Sequence, residues 1–144
     1  MTFKMNVPKV AQDMPMSCWY ASACMVAYYR APGPRLGLPK VYLADTGVTA
    51  AQMRKLARNE GLLEAALPAP CTAAELETAL RQYGPLWIDG DWFGAAHIIV
   101  ITGVDTLSLE VIFNDPDGGV EKVDSMSWFN SKRYVANPPL YQPG

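Results

Sequence analysis

Apolar positions fall in three regimes along the chain. From Cys18 to Tyr29, eleven of twelve residues are apolar and only Ser22 is not. A helix of that composition is buried nearly all round, and Ser17 is placed as its N-cap, making Cys18 the first helical residue. Two amphipathic helices follow, each opened by a capping box: Thr49-Ala50-Ala51-Gln52 and Thr72-Ala73-Ala74-Glu75. The first carries Met53, Leu56 and Ala57 and stops at Gly61; the second carries Leu76, Ala79, Leu80 and Tyr83 and stops at Gly84-Pro85. Beyond Pro85, short apolar runs predict strands at 86–88, 97–104, 109–113, 120–123 and 133–135. Helices first and strands afterwards indicate an α+β fold: a buried N-terminal helix plus two small helices on a C-terminal antiparallel sheet.

Prolines and glycines between Arg30 and Lys40 exclude regular structure there, and Pro138, Pro139 and Pro143 suggest a tail extended on the surface. With 144 residues, the whole chain, 1–144, reads as one domain. Half the residues are hydrophobic and 18% are charged, which excludes a disordered chain. A net charge of -2 lacks the basic footprint of a nucleic-acid binder. No apolar stretch approaches the ~20 residues of a membrane span, so no membrane partner is expected. Met1 to Val10 hold two lysines and no long apolar run, so no cleavable secretory signal is expected either.

The three cysteines, Cys18, Cys24 and Cys71, cannot all pair internally and have no C-x-x-C spacing. Reduced thiols in a cytosol-like compartment are therefore expected, with neither a disulfide framework nor a thiol-rich metal site and no cofactor. Cys24 falls on the buried helix and reads as core; Cys71, between Pro70 and Thr72, reads as exposed and incidental.

The chain has a single histidine, His97. Alone, a histidine opening the run Ile98-Ile99-Val100-Ile101 reads as a packed ring. Its position in the hairpin changes that reading. A turn at Asp105-Thr106-Leu107, centred on Thr106, pairs residues whose numbers sum to 212. His97 and Asp115 then become direct cross-strand neighbours with Cβ atoms ~4.5–5.5 Å apart. A carboxylate there fixes the imidazole tautomer and leaves the other nitrogen to act as a base. Asn114, the nearest competitor, falls on the opposite face. Cys18 sits at a helix N-terminus, where the macrodipole favours thiolate, and a neighbouring imidazolium strengthens that preference. Gln12, six residues earlier, offers an amide that can join the Cys18 backbone N–H as an oxyanion donor.

The constellation Gln12-x5-Cys18-Trp19, a buried helix, a His opening an apolar strand and Asn114-Asp115-Pro116 resembles papain-like cysteine peptidases. The resemblance is to compact bacterial members: AvrRpt2-like effector peptidases and the leader-peptide-cleaving peptidases of bacteriocin exporters. Gly84-Pro85-Leu86-Trp87 adds to it. The resemblance spans roughly Gln12 to Asp115 and implies a papain-like fold. It implies Cys18 as nucleophile, His97 as general base and acid, Asp115 as orienting residue and Gln12 as oxyanion donor. Trp19, beside the nucleophile, and Trp92 and Phe93, in the loop before His97, are the candidate substrate contacts. The chain departs from larger papain relatives in its shortness, its lack of long insertions, and an Asp where those enzymes use Asn.

The leading functional reading is a thiol endopeptidase acting on a protein or peptide. By the resemblance it is a bacterial effector or toxin domain, made in the cytoplasm and exported by a specialised system. A cognate immunity protein that covers the cleft is then an expected partner. The same triad also suits a deamidase, a transacylase or a peptidoglycan amidase, although wall-cutting relatives usually employ a second histidine that this chain lacks. A non-enzymatic peptide-binding module is the remaining alternative, and the presence of Cys18 argues against it.

Overall fold

The computed structural model describes residues 2–11, 18–30, 61–94 and 96–143, and of residues 18–20, 27 and 28 the backbone alone. The elements, in chain order, are β1 (Thr2–Lys4), α1 (Cys18–Arg30), β2 (Leu63–Glu64), α2 (Ala73–Tyr83), β3 (Leu86–Gly90), β4 (His97–Asp105), β5 (Glu110–Asp115), β6 (Val120–Ser125), α3 (Met126–Lys132) and β7 (Leu140–Tyr141). Gln12, the expected N-cap Ser17, the loop that follows Arg30 and the expected helix from Thr49 lie outside the described residues.

One antiparallel sheet organises these elements, in the order β2-β7-β3-β4-β5-β6, with β1 pairing to the far end of β4. The architecture is the expected α+β one. β3 and β4 are central: all five residues of β3 are buried, as are Ile98 to Val104 of β4. Strands covered on both faces read as continuous apolar runs, which is what Leu86-Trp87-Ile88 and Ile98-Ile99-Val100-Ile101 provide. α1 begins at Cys18, as the sequence predicts, and packs along β4 and β3. Its six residues from Ala21 to Val26 are each at most 2% exposed, so this stretch is buried around its whole circumference. The lone polar residue there, Ser22, donates its hydroxyl to the Ile98 carbonyl (3.3 Å), which satisfies it inside the core.

α2 carries both halves of the expected capping box. Glu75 N–H donates to Thr72 Oγ1 (3.1 Å), and Thr72 N–H donates to Glu75 Oε1 (2.9 Å). The helix buries Ala73, Leu76, Ala79 and Leu80 and ends at Gly84, whose N–H reaches the Leu80 carbonyl.

The structure corrects four expectations. The predicted strand at 133–135 reduces to a bridge between Arg133 and Gly90, and the ordered element is α3, capped by Ser125 Oγ accepting Trp128 N–H (3.0 Å). The tail does not lie wholly on the surface. Leu140 and Tyr141 enter the sheet between β2 and β3, and Leu140 is buried; prolines on either side cannot donate to the ladder and so confine the strand to two residues. Cys71 is buried, not exposed, because side chains of α3 and its end staple the loop before α2: the Asn130 amide exchanges two hydrogen bonds with the Cys71 backbone (2.8 and 2.9 Å), and Arg133 donates to the Leu67 and Pro68 carbonyls. The fourth correction concerns the β4–β5 register. Its turn spans Thr106 to Leu109, because Asp105 Oδ1 accepts the Leu107 and Ser108 N–H groups and Leu109 takes a left-handed conformation (φ 56°). Pairs next to the turn therefore sum to 215, as in Asp105 with Glu110. Between Ile101 and Gly103 a β-bulge at Thr102 shifts the sum to 214, as in Val100 with Asn114.

The N-terminal strand holds this bulge in place. Met5 N–H donates to the Thr102 carbonyl (2.9 Å), and the Thr102 hydroxyl donates to the Ile112 carbonyl (3.4 Å). Gly103 lies so close under β1 that a Cβ there would meet the Phe3 carbonyl oxygen at 2.5 Å. A glycine is required by that approach of two backbones.

Candidate active site

His97 opens β4 and Asp115 closes β5, so the two residues stand at the same end of the hairpin. Their alignment depends on the bulge. From the pair Asp105 and Glu110, His97 is eight residues back along β4 and Asp115 five forward along β5. In a regular ladder an even count faces away from an odd one. The bulge absorbs one residue, so that Asp115 falls opposite Ile99, two residues from His97 on the same face. They are diagonal neighbours, not the direct pair that the sequence reading placed there, and the contact is still made: His97 Nε2 lies 2.7 Å from Asp115 Oδ1.

The carboxylate is almost enclosed, with 1% of its side chain exposed. Three donors surround it: His97 Nε2 and the Asp117 N–H (2.9 Å) on Oδ1, and Lys122 Nζ (2.7 Å) on Oδ2. Burial pushes this carboxyl upward, but the hydrogen bonds from His97, Lys122 and Asp117 outweigh it, and the group stays below the ordinary carboxylate range. It is therefore ionised at neutral pH. Nε2 is thus the ring nitrogen engaged by the carboxylate, as its donor. Asn114 points to the other face, donating its amide to the Val7 carbonyl (3.3 Å).

Cys18 is the first residue of α1, at the positive end of the helix dipole. Ser22, one turn further along the same face, is bonded to the carbonyl of Ile98, the residue after His97. The start of the second turn of α1 is thus stitched to the strand end that carries the imidazole. The backbone of Trp19 follows Cys18 in α1; its side chain, the Cys18 sulfur and Gln12 lie outside the described atoms.

The two loop aromatics part company. Trp92 is 2% exposed, packed against Trp128 (5.0 Å between ring centroids) and Phe129 (5.7 Å), and donates its Nε1–H to the Ile88 carbonyl. Gly90 makes room for it, since a Cβ there would meet the indole at 2.6 Å. The Trp92 ring is therefore a floor under the loop and offers no surface to a ligand. Phe93 is 51% exposed, and its ring centroid lies 5.9 Å from that of His97. The sequence reading missed Lys122. Its signal was the turn Pro116-Asp117-Gly118-Gly119, which pairs Asp115 with Val120 and sets Lys122 on the same face two residues on.

Two comparisons bear on this arrangement. Among solved structures, a double glycine motif protease from an AMS/PCAT transporter, in complex with the leader peptide, superposes with a TM-score of 0.68. It shares 23% sequence identity over 96% of this chain and 91% of that chain. The fold is thus that of a papain-like protease. A family model, that of the papain-like cysteine protease AvrRpt2, matches residues 1–134. Since that match runs from the N-terminal strand through the His97–Asp115 hairpin to the end of α3, the chain belongs to the AvrRpt2 family of papain-like cysteine proteases.

Proposed function

We propose that the chain is an endopeptidase that hydrolyses a peptide bond in a protein or peptide substrate through Cys18, His97 and Asp115. The observation that carries this reading is the 2.7 Å bond between His97 and an enclosed, ionised Asp115, at the strand end to which α1 is tied one turn beyond Cys18. In the resting enzyme the Cys18 thiol has given its proton to His97 Nδ1, and Asp115 steadies the imidazolium through Nε2. The thiolate attacks the scissile carbonyl carbon while Gln12 and the Cys18 backbone N–H receive the developing oxyanion. The tetrahedral adduct collapses as His97 hands its proton to the leaving amine, which leaves a thioester on Cys18. Water then attacks the thioester, His97 takes one of its protons, and the tetrahedral adduct expels the thiolate, so that the carboxylic acid departs and the thiolate–imidazolium pair is restored.

The similar transporter protease was solved with a leader peptide, which supports a peptide as the substrate class here. Phe93, half-exposed beside His97, is the side chain we assign to contact with an apolar substrate residue. The setting we infer is that of a bacterial effector or toxin domain, made in the cytoplasm, exported by a specialised system and held inactive in its producer by a cognate immunity protein. N-terminal proteomics of cells expressing the chain, compared with the Cys18→Ala variant, tests the reading. New termini that depend on Cys18 are expected. Gln side chains gaining about 1 Da, with no new termini, would replace the endopeptidase by a deamidase built on the same residues.

A further inference from the structure

The Asp115 carboxylate has two oxygens, and the reaction outlined above uses one. The second, Oδ2, is taken by Lys122 at 2.7 Å, from β6 at the edge of the sheet. Lys122 differs from an ordinary surface lysine in two ways. Its partner is 1% exposed and so has no recourse to bulk water, and its own ammonium lies 4.5 Å from the centroid of the Phe93 ring. A half-exposed lysine is thus held at two points, over an aromatic face and against a buried anion.

We propose that Lys122 is a positioning residue for the Asp115–His97 pair: it locks the carboxylate with Oδ1 aimed at the imidazole and shares its negative charge, so that His97 holds its proton loosely enough to release it. This rests on the Cys18–His97–Asp115 reading. Among the described residues, the charged groups that bear on the imidazole are Asp115 beside it, Lys122 behind Asp115, and Asp89 on β3, which feels its charge. Glu121, next to Lys122, is engaged with Lys4 at 2.6 Å. Removing the Lys122 charge takes a cation from the far side of the carboxylate. The full anionic charge then falls on His97, and the imidazolium becomes a weaker acid.

The test needs no substrate. The rate of iodoacetamide alkylation at Cys18 is followed by mass spectrometry from about pH 4 to pH 10. The wild-type protein is expected to show two steps, one as the thiolate–imidazolium pair forms and one as the imidazolium loses its proton. In Lys122→Met the second step moves upward by about one pH unit, and Lys122→Arg, which keeps the charge, returns it to the wild-type position. Lys122→Gln, a soluble replacement on the exposed edge strand, is run beside Lys122→Met, and circular dichroism establishes that both are folded. An unmoved second step in folded Lys122→Met and Lys122→Gln overturns the inference while the triad stands. A single wild-type step near the ordinary thiol value of about 8.5 shows that the triad itself fails, and the role of Lys122 falls with it.

Discussion

Replacing Asp115 by Asn keeps the shape of the side chain and removes its charge, and the surroundings of the carboxylate set the cost. Three donors converge on two oxygens. An amide has one oxygen, so its NH2 group must face either the Lys122 ammonium, donor against donor, or the Asp117 N–H and the His97 ring, where the N–H is left without an acceptor and the imidazole can accept only in the wrong tautomer. Leaving such a group unsatisfied in the interior costs about 1–3 kcal/mol. Lys122 is 42% exposed and can swing toward water, so its share is closer to a surface pair, at most about 1 kcal/mol. A loss of roughly 2 kcal/mol is therefore expected for Asp115→Asn, and somewhat more for Asp115→Ala, which also leaves a void. The catalytic cost is larger. Without its anionic partner the imidazolium is neither oriented nor stabilised, and kcat/KM should fall by about 10²–10⁴-fold. Urea denaturation from pH 7 down to pH 3, with peptide cleavage measured alongside, checks both. The sign is fixed by linkage. The Asp115 carboxyl lies below its ordinary value in the folded protein, so its stabilisation is fully present above the unfolded carboxyl value and is lost as pH falls through the folded one. The gap between wild type and Asp115→Asn should therefore narrow at the acid end. An equal gap at all pH values, or a variant with wild-type stability and cleavage, would refute the reasoning.

Two further predictions use neighbouring features. Trp92→Ala should destabilise the fold by about 3–5 kcal/mol in urea denaturation, as expected for emptying a buried aromatic site, whereas Phe93→Ala should leave stability nearly unchanged and raise KM for a peptide; the reverse pattern would reassign the loop. Cys24 and Cys71 are buried, and burial, with Glu75 nearby, pushes the Cys71 thiol up to about 11. Brief iodoacetamide treatment at pH 7 should then label Cys18 alone in the native protein and all three thiols in urea, and labelling of Cys71 before unfolding would count against the stapled loop.

The features most legible in the sequence are those written in adjacent residues. Thr72 and Glu75 stand three apart and form the box their spacing predicts. The apolar run from Cys18 is long enough to specify a helix buried all round. The strands from Leu86 to Val123 follow from their composition, give or take two residues at the ends. Pairings between distant segments are harder to read. Thr2–Lys4 is too short and polar to announce itself as β1, and Leu140–Tyr141 is masked by its prolines. The acid–imidazole contact was anticipated from the wrong register. The turn is longer than Asp105-Thr106-Leu107 because a side chain, not the backbone, takes up two of its amides, and the bulge then moves the pairing by one. Neither property is visible in hydrophobic periodicity. Lys122 escaped for another reason: a lysine on a strand looks like solvent-facing charge until the turn at Pro116 is counted.

The irregularity at Thr102 has a consequence for anyone who would move this chemistry elsewhere. It lies five residues from His97, about 17 Å along the strand, far from any bond that is broken. A regular hairpin with the same four-residue turn, given the same two side chains at the same separation in sequence, would turn them to opposite sides. Transplanting the dyad means transplanting the misfit as well, together with the N-terminal strand that clamps it.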